Sequence, residues 1–291
     1  MALVGAPNSG KSTLTNALVG AKVSIVTHKA QTTRGPVRGI VLVGDAQVIL
    51  VDTPGIFQPK RRLDRAMAQA AWNRAADADL VALVIDAARG IDEKLEPILK
   101  HLPEINRPVI AVLNKVDLVK KPKLLSLAAD LLALKTFDEV FMVSALTGDG
   151  VEDLKTYFTG IVPEGPWLFP EDQISDASLR QTAAEITREK LFLRLHEELP
   201  YALTVETTEW KTLKNRSIRI EQTIFVERES QRRIVLGAKG AMIKEIGQAA
   251  RAEIAEIAGI AVHLFLFVKV RERWGEDPER FREMGLDYPK G

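Results

Sequence analysis

The feature that most constrains this sequence is a glycine-bounded loop, GAPNSGKS, close to its start. The loop follows the short apolar run at residues 2–4 and precedes residues 13–18, whose apolar side chains have helical spacing. In this context glycines let backbone N–H groups point at phosphates, the lysine reaches the outer phosphates, and the serine hydroxyl binds Mg²⁺. The sequence therefore predicts a phosphate loop at the start of a helix. Its predicted ligand-binding residues are Gly5, Ala6, Pro7, Asn8, Ser9, Gly10, Lys11 and Ser12.

The composition narrows the class of protein further. A length of 291 residues with 27% charged residues indicates a globular protein of about two domains. The absence of cysteine excludes disulfides and thiolate metal sites, and the 4 histidines lack metal-ligand spacing. No apolar run reaches the roughly 18 residues of a membrane span, and no signal peptide is recognisable. We therefore expect a cytoplasmic protein.

Apolar runs alternate with amphipathic, helix-like segments over the first part of the chain. This alternation predicts an α/β domain with a mostly parallel sheet, which we assign to residues 1–162. The first two runs are separated by a polar turn and predict a hairpin, whereas the later ones have the continuous apolar character of strands covered on both faces. The runs lie at residues 40–43, 48–51, 80–86, 109–113 and 140–143.

Polar motifs follow three of these runs, at the sheet edge where α/β proteins bind ligands. In the DTPG motif, the Asp52 carboxylate is placed to hold a magnesium-bound water, and the Gly55 N–H is placed to meet a terminal phosphate. In the NKVD motif, the Asp117 carboxylate can accept hydrogen bonds from N1–H and the 2-amino group of guanine, and adenine has neither donor on that edge. The backbone at Ser144 and Ala145 would line the other side of the base. The predicted nucleotide-binding residues of these motifs are Asp52, Thr53, Pro54, Gly55, Ile56, Asn114, Lys115, Val116, Asp117, Ser144 and Ala145.

The rest of the chain has a different pattern. Prolines and glycine break regular structure after residue 162, so we assign residues 163–177 to a linker. The order helix, strand, strand, GxxG, helix, strand then predicts a smaller α+β module over residues 178–291. Residues 211–251 carry 10 basic and 4 acidic side chains, which favours a polyanion partner and a solvated mixed-charge surface equally. The candidate RNA-binding loop consists of Gly237, Ala238, Lys239 and Gly240.

Two apolar patterns in this module carry structural predictions. The helix after the GxxG loop should bury one stripe of side chains, namely Ile243, Ile246, Ala250 and Ile257. The last strand should bury one face, namely Val262, Leu264, Leu266, Val268 and Val270. For Phe265 and Phe267, on the opposite face of that strand, we favour packing over base stacking, because aromatic side chains dominate protein cores.

With these motifs, together with QTTR at residues 31–34, FPED at residues 169–172 and the C-terminal GxxG module, the sequence resembles the Era family. These are bacterial GTPases with a type II KH domain, and the resemblance covers essentially the whole chain. It implies GTP hydrolysis, binding near the 3′ end of small-subunit ribosomal RNA, and a role in small-subunit maturation. It also implies peripheral contact with the inner membrane. By resemblance, Thr33 is the switch threonine and Thr32 is the alternative to it, so Ser12, Thr33 and, through water, Asp52 would hold Mg²⁺. We expect a monomer.

The catalytic groups follow less directly from the sequence. Many GTPases orient the attacking water with a glutamine after the D-x-x-G motif, but this chain has Ile56 there. The side chain of Asn8 is placed either to ligate K⁺ beside the transferring phosphate or only to brace the loop. Asn8, Thr33 and Gly55 are therefore the catalytic candidates, and none is certain.

Two functions remain open from the sequence. A GTP-driven RNA-binding switch is the leading hypothesis, because KH modules clamp about four nucleotides with a GxxG loop. The alternative is a GTPase whose C-terminal module binds protein or a membrane surface and never contacts RNA. A GxxG match alone is a weak signal, so RNA binding is the property that separates the two hypotheses.

Overall fold

The computed structural model describes residues 1–289, which form two compact units. The first unit consists of residues 1–26, residues 33–176 and the residues from 281 onward. The second unit consists of residues 27–32 and 177–280. The helices and strands of each unit are numbered together in chain order.

The first unit is built on a six-stranded sheet. Its strands are β1 (Ala2–Val4), β2 (Val37–Val43), β3 (Ala46–Asp52), β4 (Val81–Asp86), β5 (Val109–Asn114) and β6 (Val140–Val143). They are arranged in the order β2-β3-β1-β4-β5-β6, with β2 antiparallel to β3 and all other neighbours parallel. The prediction of a hairpin within a mostly parallel sheet is therefore confirmed.

Five helices belong to this unit, and the apolar clusters lie on both faces of the sheet. The helices are α1 (Lys11–Val19), α2 (Arg62–Asp77), α3 (Glu96–His101), α4 (Lys121–Ala133) and α5 (Val151–Ile161). Successive residues of β4 alternate between the clusters, since Leu83 packs in the cluster that contains Leu131 of α4, and Val84 packs with Leu14 of α1. Both faces of the strand are covered, which explains its continuous apolar sequence.

The irregular segment that ends the first unit lies along the β2–β3 hairpin. The side-chain oxygen of Gln47 accepts hydrogen bonds from the backbone N–H groups of Leu168 and Phe169, at 2.9 and 3.0 Å. The Trp167 indole N–H donates to the backbone oxygen of Asp45 at 2.9 Å. Part of the segment predicted as a linker is thus tied to the hairpin by hydrogen bonds.

The second unit combines a three-stranded sheet with helices. It contains α6 (Leu179–Arg194), β7 (Leu203–Thr212), β8 (Ile218–Val226), α7 (Glu229–Leu236), α8 (Ala241–Ala258) and β9 (Val262–Val270), and α9 (Pro278–Glu283) begins in this unit and ends among residues of the first unit. The strand order is β7-β8-β9, with β7 antiparallel and β9 parallel to β8. This confirms the predicted α+β order and adds α7, a short helix that the sequence analysis missed. Within residues 1–289, no helix is both long enough and apolar enough to cross a membrane.

The predicted apolar stripe of α8 is correct over its first turns and wrong at its end. Ile246 and Ala250 are buried, but Ile257 is 39% exposed and Ile254 takes its place in the core. The cause is position along the helix, because Ile257 shares the face of Ile254, three residues earlier, but lies in the last turn of the helix, beyond the residues that cover this face. The end of β9 shows a similar error, since Val270 is 39% exposed.

The prediction that Phe265 and Phe267 pack in the core is also wrong. They are 42% and 45% exposed, and the Arg219 guanidinium lies 4.4 Å from the centroid of the Phe265 ring. Side chains of a strand alternate between its two faces, and Val268, on the other face of β9, belongs to the cluster formed with the helices. The two phenylalanines therefore lie on the face of the sheet away from that cluster.

Candidate nucleotide-binding site

The phosphate loop connects β1 to α1 and is enclosed by neighbouring strands. Gly10 precedes α1 with φ 95°, and a Cβ atom at this position would collide with the side-chain nitrogen of Asn114. A Cβ atom at Gly5 would collide with the backbone oxygen of Val84. Both glycines are therefore required by close approach as well as by backbone conformation. The loop leaves the first N–H groups of α1 available for an anion.

Lys11 places a buried ammonium group inside this loop. Its Nζ donates hydrogen bonds to the backbone oxygens of Gly5 at 3.1 Å and Ala6 at 3.0 Å. Burial lowers the pKa of Lys11 to about 8, and the nearby charge of Asp52 partly opposes this effect. A phosphate in the loop would restore the electrostatic stabilisation that the ammonium loses on burial.

The three predicted magnesium-binding residues lie together. The Ser12 hydroxyl donates to Oδ2 of Asp52 at 2.7 Å, and the hydroxyls of Ser12 and Thr33 are 2.9 Å apart. Burial raises the pKa of Asp52, opposed by the Ser12 hydrogen bond and the charge of Lys11. The second oxygen, Oδ1, is buried and has no hydrogen-bond partner among the described residues. Hydroxyl and carboxylate oxygens suit Mg²⁺, so this cluster fits the ion.

Thr32, the other threonine considered for the switch role, makes different contacts. Its hydroxyl is 2.6 Å from the hydroxyl of Thr27 and donates to the backbone oxygen of Lys29 at 2.9 Å. The geometry therefore favours Thr33 as the threonine beside the magnesium ligands.

The NKVD motif and the Ser144–Ala145 turn form a second connected group. The Asn114 amide donates to the backbone oxygen of Ser9 at 2.9 Å and accepts from the Ala145 N–H at 3.0 Å. The Ser144 hydroxyl donates to Oδ1 of Asp117 at 2.6 Å. Asn114 thus ties the phosphate loop to the turn, while Asp117 is held on an exposed surface where it can accept from a base. The sequence analysis gave Ser144 only a backbone role and missed its effect on Asp117.

The DTPG residues have mostly structural contacts. The Thr53 hydroxyl donates to the backbone oxygen of Leu3 at 2.7 Å, and the Ile56 N–H donates to the backbone oxygen of Gly5 at 3.0 Å. The Ile56 side chain is buried in an apolar cluster, which Val116 packs against. Ile56 therefore has neither the chemistry nor the exposure to orient an attacking water.

The GxxG loop lies between α7 and α8 and is exposed at its centre, Ala238 and Lys239. Three of its residues have positive φ: Gly237 at 71°, Lys239 at 51° and Gly240 at 78°. No side chain caps the N-terminus of α8, which begins directly after the loop. Exposed N–H groups at a helix start, together with a lysine, form a surface that attracts phosphate.

The fold and these two loops define a class of protein, a P-loop GTPase joined to a KH domain. The family described as 50S ribosome-binding GTPase matches residues 1–115, and the KH domain family matches residues 198–275. GTPase Era of Brucella suis biovar 1 (strain 1330) is 63% identical over 289 residues, which are 99% of this chain and 93% of the relative. GTPase Era of Rhizobium meliloti (strain 1021) is 61% identical over 290 residues, covering 100% of this chain and 93% of the relative. The chain belongs to the Era family of GTPases.

Solved structures agree with this family. A crystal structure of an Aquifex aeolicus Era variant bound to GDP and AlF4⁻ matches with a TM-score of 0.93 and 39% identity, covering 98% of this chain and 97% of that chain. A crystal structure of Era with MgGDPNP and nucleotides 1506–1542 of 16S ribosomal RNA has the same TM-score of 0.93, 39% identity and coverage of 98% and 97%. The resemblance to the Era family and the predicted fold class are confirmed.

Proposed function

We propose that this GTPase binds small-subunit ribosomal RNA near its 3′ end through the GxxG loop and assists maturation of the small subunit. The observation that carries the proposal is the exposed, positively charged loop at residues 237–240, directly before the uncapped start of α8. The Era complex with nucleotides 1506–1542 of 16S ribosomal RNA supports the choice of RNA. The alternative, a module that binds only protein or a membrane surface, is not favoured.

For the nucleotide, we propose that the loop at residues 5–12 holds the phosphates and that Asp117 selects guanine. Ser12, Thr33 and Asp52, the last through a water, would hold Mg²⁺, which supplies positive charge to stabilise negative charge developing on the phosphates. The buried ammonium of Lys11 adds charge from inside the loop. The Era structure with MgGDPNP supports Mg²⁺ as the ion.

An RNA titration tests the role of the GxxG loop. We expect Ala238→Asp combined with Lys239→Asp to weaken binding of a single-stranded RNA with the 3′-terminal sequence of 16S ribosomal RNA by about tenfold or more, because carboxylates repel phosphates. The matched control is Lys214→Asp with Asn215→Asp, which makes the same change in charge in an exposed turn of the same unit. Fluorescence anisotropy of the labelled RNA at several salt concentrations measures both variants.

The two variants must behave differently for the proposal to stand. The control should keep affinity within about threefold of the parent, since its charges only change the long-range field, which salt screens. Equal weakening by both pairs would assign RNA binding to net charge and would remove the GxxG loop from the proposal. No RNA binding by the parent protein would favour the protein or membrane alternative.

We also propose that hydrolysis uses K⁺ held by the side chain of Asn8. Asn8 lies in the phosphate loop with φ 65°, and Ile56 supplies no group to act on water. A cation beside the transferring phosphate would supply the charge that an arginine finger supplies in other GTPases. Turnover should therefore be faster in K⁺ than in Na⁺, and Asn8→Ala should abolish the difference. Equal turnover in the two salts would contradict this role.

Of the remaining assignments, the membrane contact rests on the family resemblance and the domain limits rest on the sequence pattern. We propose a cytoplasmic monomer with peripheral contact at the inner membrane, and domain limits of 1–162, 163–177 and 178–291. Sedimentation equilibrium tests the oligomeric state, and flotation with vesicles that contain anionic lipid tests the membrane contact. A dimer in the first measurement, or no flotation in the second, would contradict the respective assignment.

A further inference from the structure

Asp86 is an acidic residue beside the nucleotide site that none of the nucleotide-binding motifs contains. It ends β4, and its register partner in β5 is Asn114, the first residue of the NKVD motif. Parallel strands bring their carboxyl ends to the same edge of a sheet, so the side chains that follow them meet there. The Asp86 side chain is only 11% exposed.

A chain of polar contacts connects Asp86 to the phosphate loop. The Lys115 ammonium lies 2.6 Å from Oδ2 of Asp86 and donates to the backbone oxygen of Asn8 at 2.8 Å. The other carboxylate oxygen, Oδ1, accepts from the Ala88 N–H at 3.0 Å, which fixes the orientation of the carboxylate. Lys115 therefore bridges a fixed acidic group and the middle of the phosphate loop.

The Lys115 ammonium contacts the phosphate loop at Asn8, a residue with an uncommon backbone conformation. Asn8 has φ 65°, a left-handed conformation that asparagine adopts more readily than most residues other than glycine, although at a cost in backbone energy. Lys115 itself has φ 65°, so the residue that holds Asn8 also has an unfavourable backbone conformation. An ion pair with a largely buried carboxylate offsets such conformational strain better than a contact with solvent does.

We propose that Asp86 is a positioning residue for guanine nucleotides, acting through Lys115 on the conformation of the phosphate loop. The inference rests on the nucleotide site proposed above. Asp86 orients the ammonium, and the ammonium holds the Asn8 carbonyl so that the neighbouring N–H groups face the phosphates. Without the carboxylate, the Lys115 ammonium would turn toward water and the loop would leave its binding conformation more often. Bound nucleotide would then be released faster.

The test measures release of fluorescently labelled GDP from the full chain by stopped flow. Asp86→Asn keeps the size of the side chain and the oxygen that accepts from Ala88, but it removes the charge. We expect release roughly tenfold faster, the size of effect that a charge-assisted hydrogen bond has. Release of a GTP analogue should accelerate by a similar factor, because the contact lies on the loop and not at the terminal phosphate.

The chain offers a matched control in Arg89. Its Nε lies 3.7 Å from the same oxygen of Asp86, but its side chain is 44% exposed and it makes a weaker ion pair. Arg89→Gln should leave the release rate within about twofold of the parent. A larger effect from Arg89→Gln than from Asp86→Asn would overturn the inference, because the carboxylate would then act through Arg89.

A double-mutant cycle separates positioning through Lys115 from general destabilisation. Equilibrium titration with labelled GDP gives dissociation constants for the parent, Asp86→Asn, Lys115→Met and the combined variant. We expect Asp86→Asn to have little further effect once Lys115 is replaced, since its route to the loop is gone. Equal effects in both backgrounds, or unchanged release in the single variant, would contradict the inference. A parent that does not bind GDP would refute the nucleotide site itself, together with this inference.

Discussion

The phosphate loop and the GxxG loop both use glycines before the start of a helix, yet they are built in different ways. In the phosphate loop, Cβ atoms at Gly5 and Gly10 would collide with groups contributed by β4 and β5. In the GxxG loop, a Cβ atom at Gly237 would also collide, but with Met242, a residue of the helix that follows and not of another strand. At Gly240 the nearest atom is a side-chain carbon of Ile243 at 4.0 Å, which is ordinary contact.

The difference in enclosure explains how each loop suits the ligand proposed for it. Lys11, which follows the enclosed loop's last glycine, and Asp52, at the end of β3, are both buried, and charges interact more strongly in such surroundings than in water. A small ligand of defined size matches such a site. The open loop exposes Ala238 and Lys239 to solvent and leaves room beside Gly240. That arrangement suits a continuous polyanion whose sequence the loop does not need to read.

The largest expected effect concerns recognition of the guanine base by Asp117, which has no counterpart in the GxxG loop. Asp117→Asn should lower affinity for GTP by roughly 10³-fold or more, because a site built on hydrogen bonds rejects a ligand that leaves them unmade. Affinity for xanthosine triphosphate should rise, since an amide can donate to the 2-oxo group of xanthine. Competition titrations with GTP, XTP and ATP measure the change. An unchanged preference for GTP would show that Asp117 does not contact the base.

The second expected effect concerns the buried charge of Lys11. Burial lowers the pKa of Lys11 to about 8, whereas in the unfolded chain the pKa is near the ordinary lysine value of 10.5. Between these pH values the unfolded state binds more protons, so the free energy of unfolding rises with pH across this window. The expected rise is about 3 kcal/mol relative to Lys11→Met, in which this group does not titrate.

Denaturant unfolding of both proteins without nucleotide, from pH 7 to pH 11, measures this difference. Other lysines titrate in both proteins, so their contributions cancel in the comparison. Lys239→Met, which changes an exposed lysine of the GxxG loop, serves as the control and should follow the parent. A constant difference between the parent and Lys11→Met would mean that the Lys11 ammonium is better solvated than its burial indicates.

The smallest expected effects come from replacing the equivalent glycines of the two loops, Gly10 and Gly240, by alanine. Gly10→Ala must displace the Asn114 amide that bonds to Ser9, so GDP affinity should fall by about tenfold or more. Gly240→Ala makes only ordinary contact with Ile243 and should cost about 1 kcal/mol of stability, because of its left-handed backbone. Gly20, with φ 78° and no neighbouring atom within 4 Å, gives a control for backbone strain alone. If Gly10→Ala and Gly20→Ala lower GDP affinity equally, the collision with Asn114 is not the cause of the loss.

The motifs could be predicted from the sequence because their chemistry is local. The residues of the phosphate loop and of the NKVD motif are consecutive, so spacing alone indicated their roles. The strands of the first unit were also recognisable, since burial on both faces leaves a continuous apolar run. The Asp86–Lys115 pair was missed because its members are 29 residues apart and meet only through the register of β4 and β5.

The errors in the second unit have a common physical cause. A period of hydrophobic residues indicates which side chains share a face, but it does not show where the covering layer ends. Ile257 lies in the last turn of α8 beyond the buried stripe, and Phe265 and Phe267 lie on a sheet face away from the apolar clusters. Such limits depend on tertiary packing, which one sequence does not reveal.

The central claim is that two separate loops bind the guanine nucleotide and the RNA. The most direct test is the dissociation constant for labelled GDP in the Ala238→Asp, Lys239→Asp variant that should lose RNA binding. We expect a value within about twofold of the parent, since residues 238 and 239 belong to none of the nucleotide-binding motifs and an exposed charge acts only through a field that salt screens. A loss of GDP affinity of more than about tenfold would contradict separate sites, because one change on an exposed loop would then have removed both ligands.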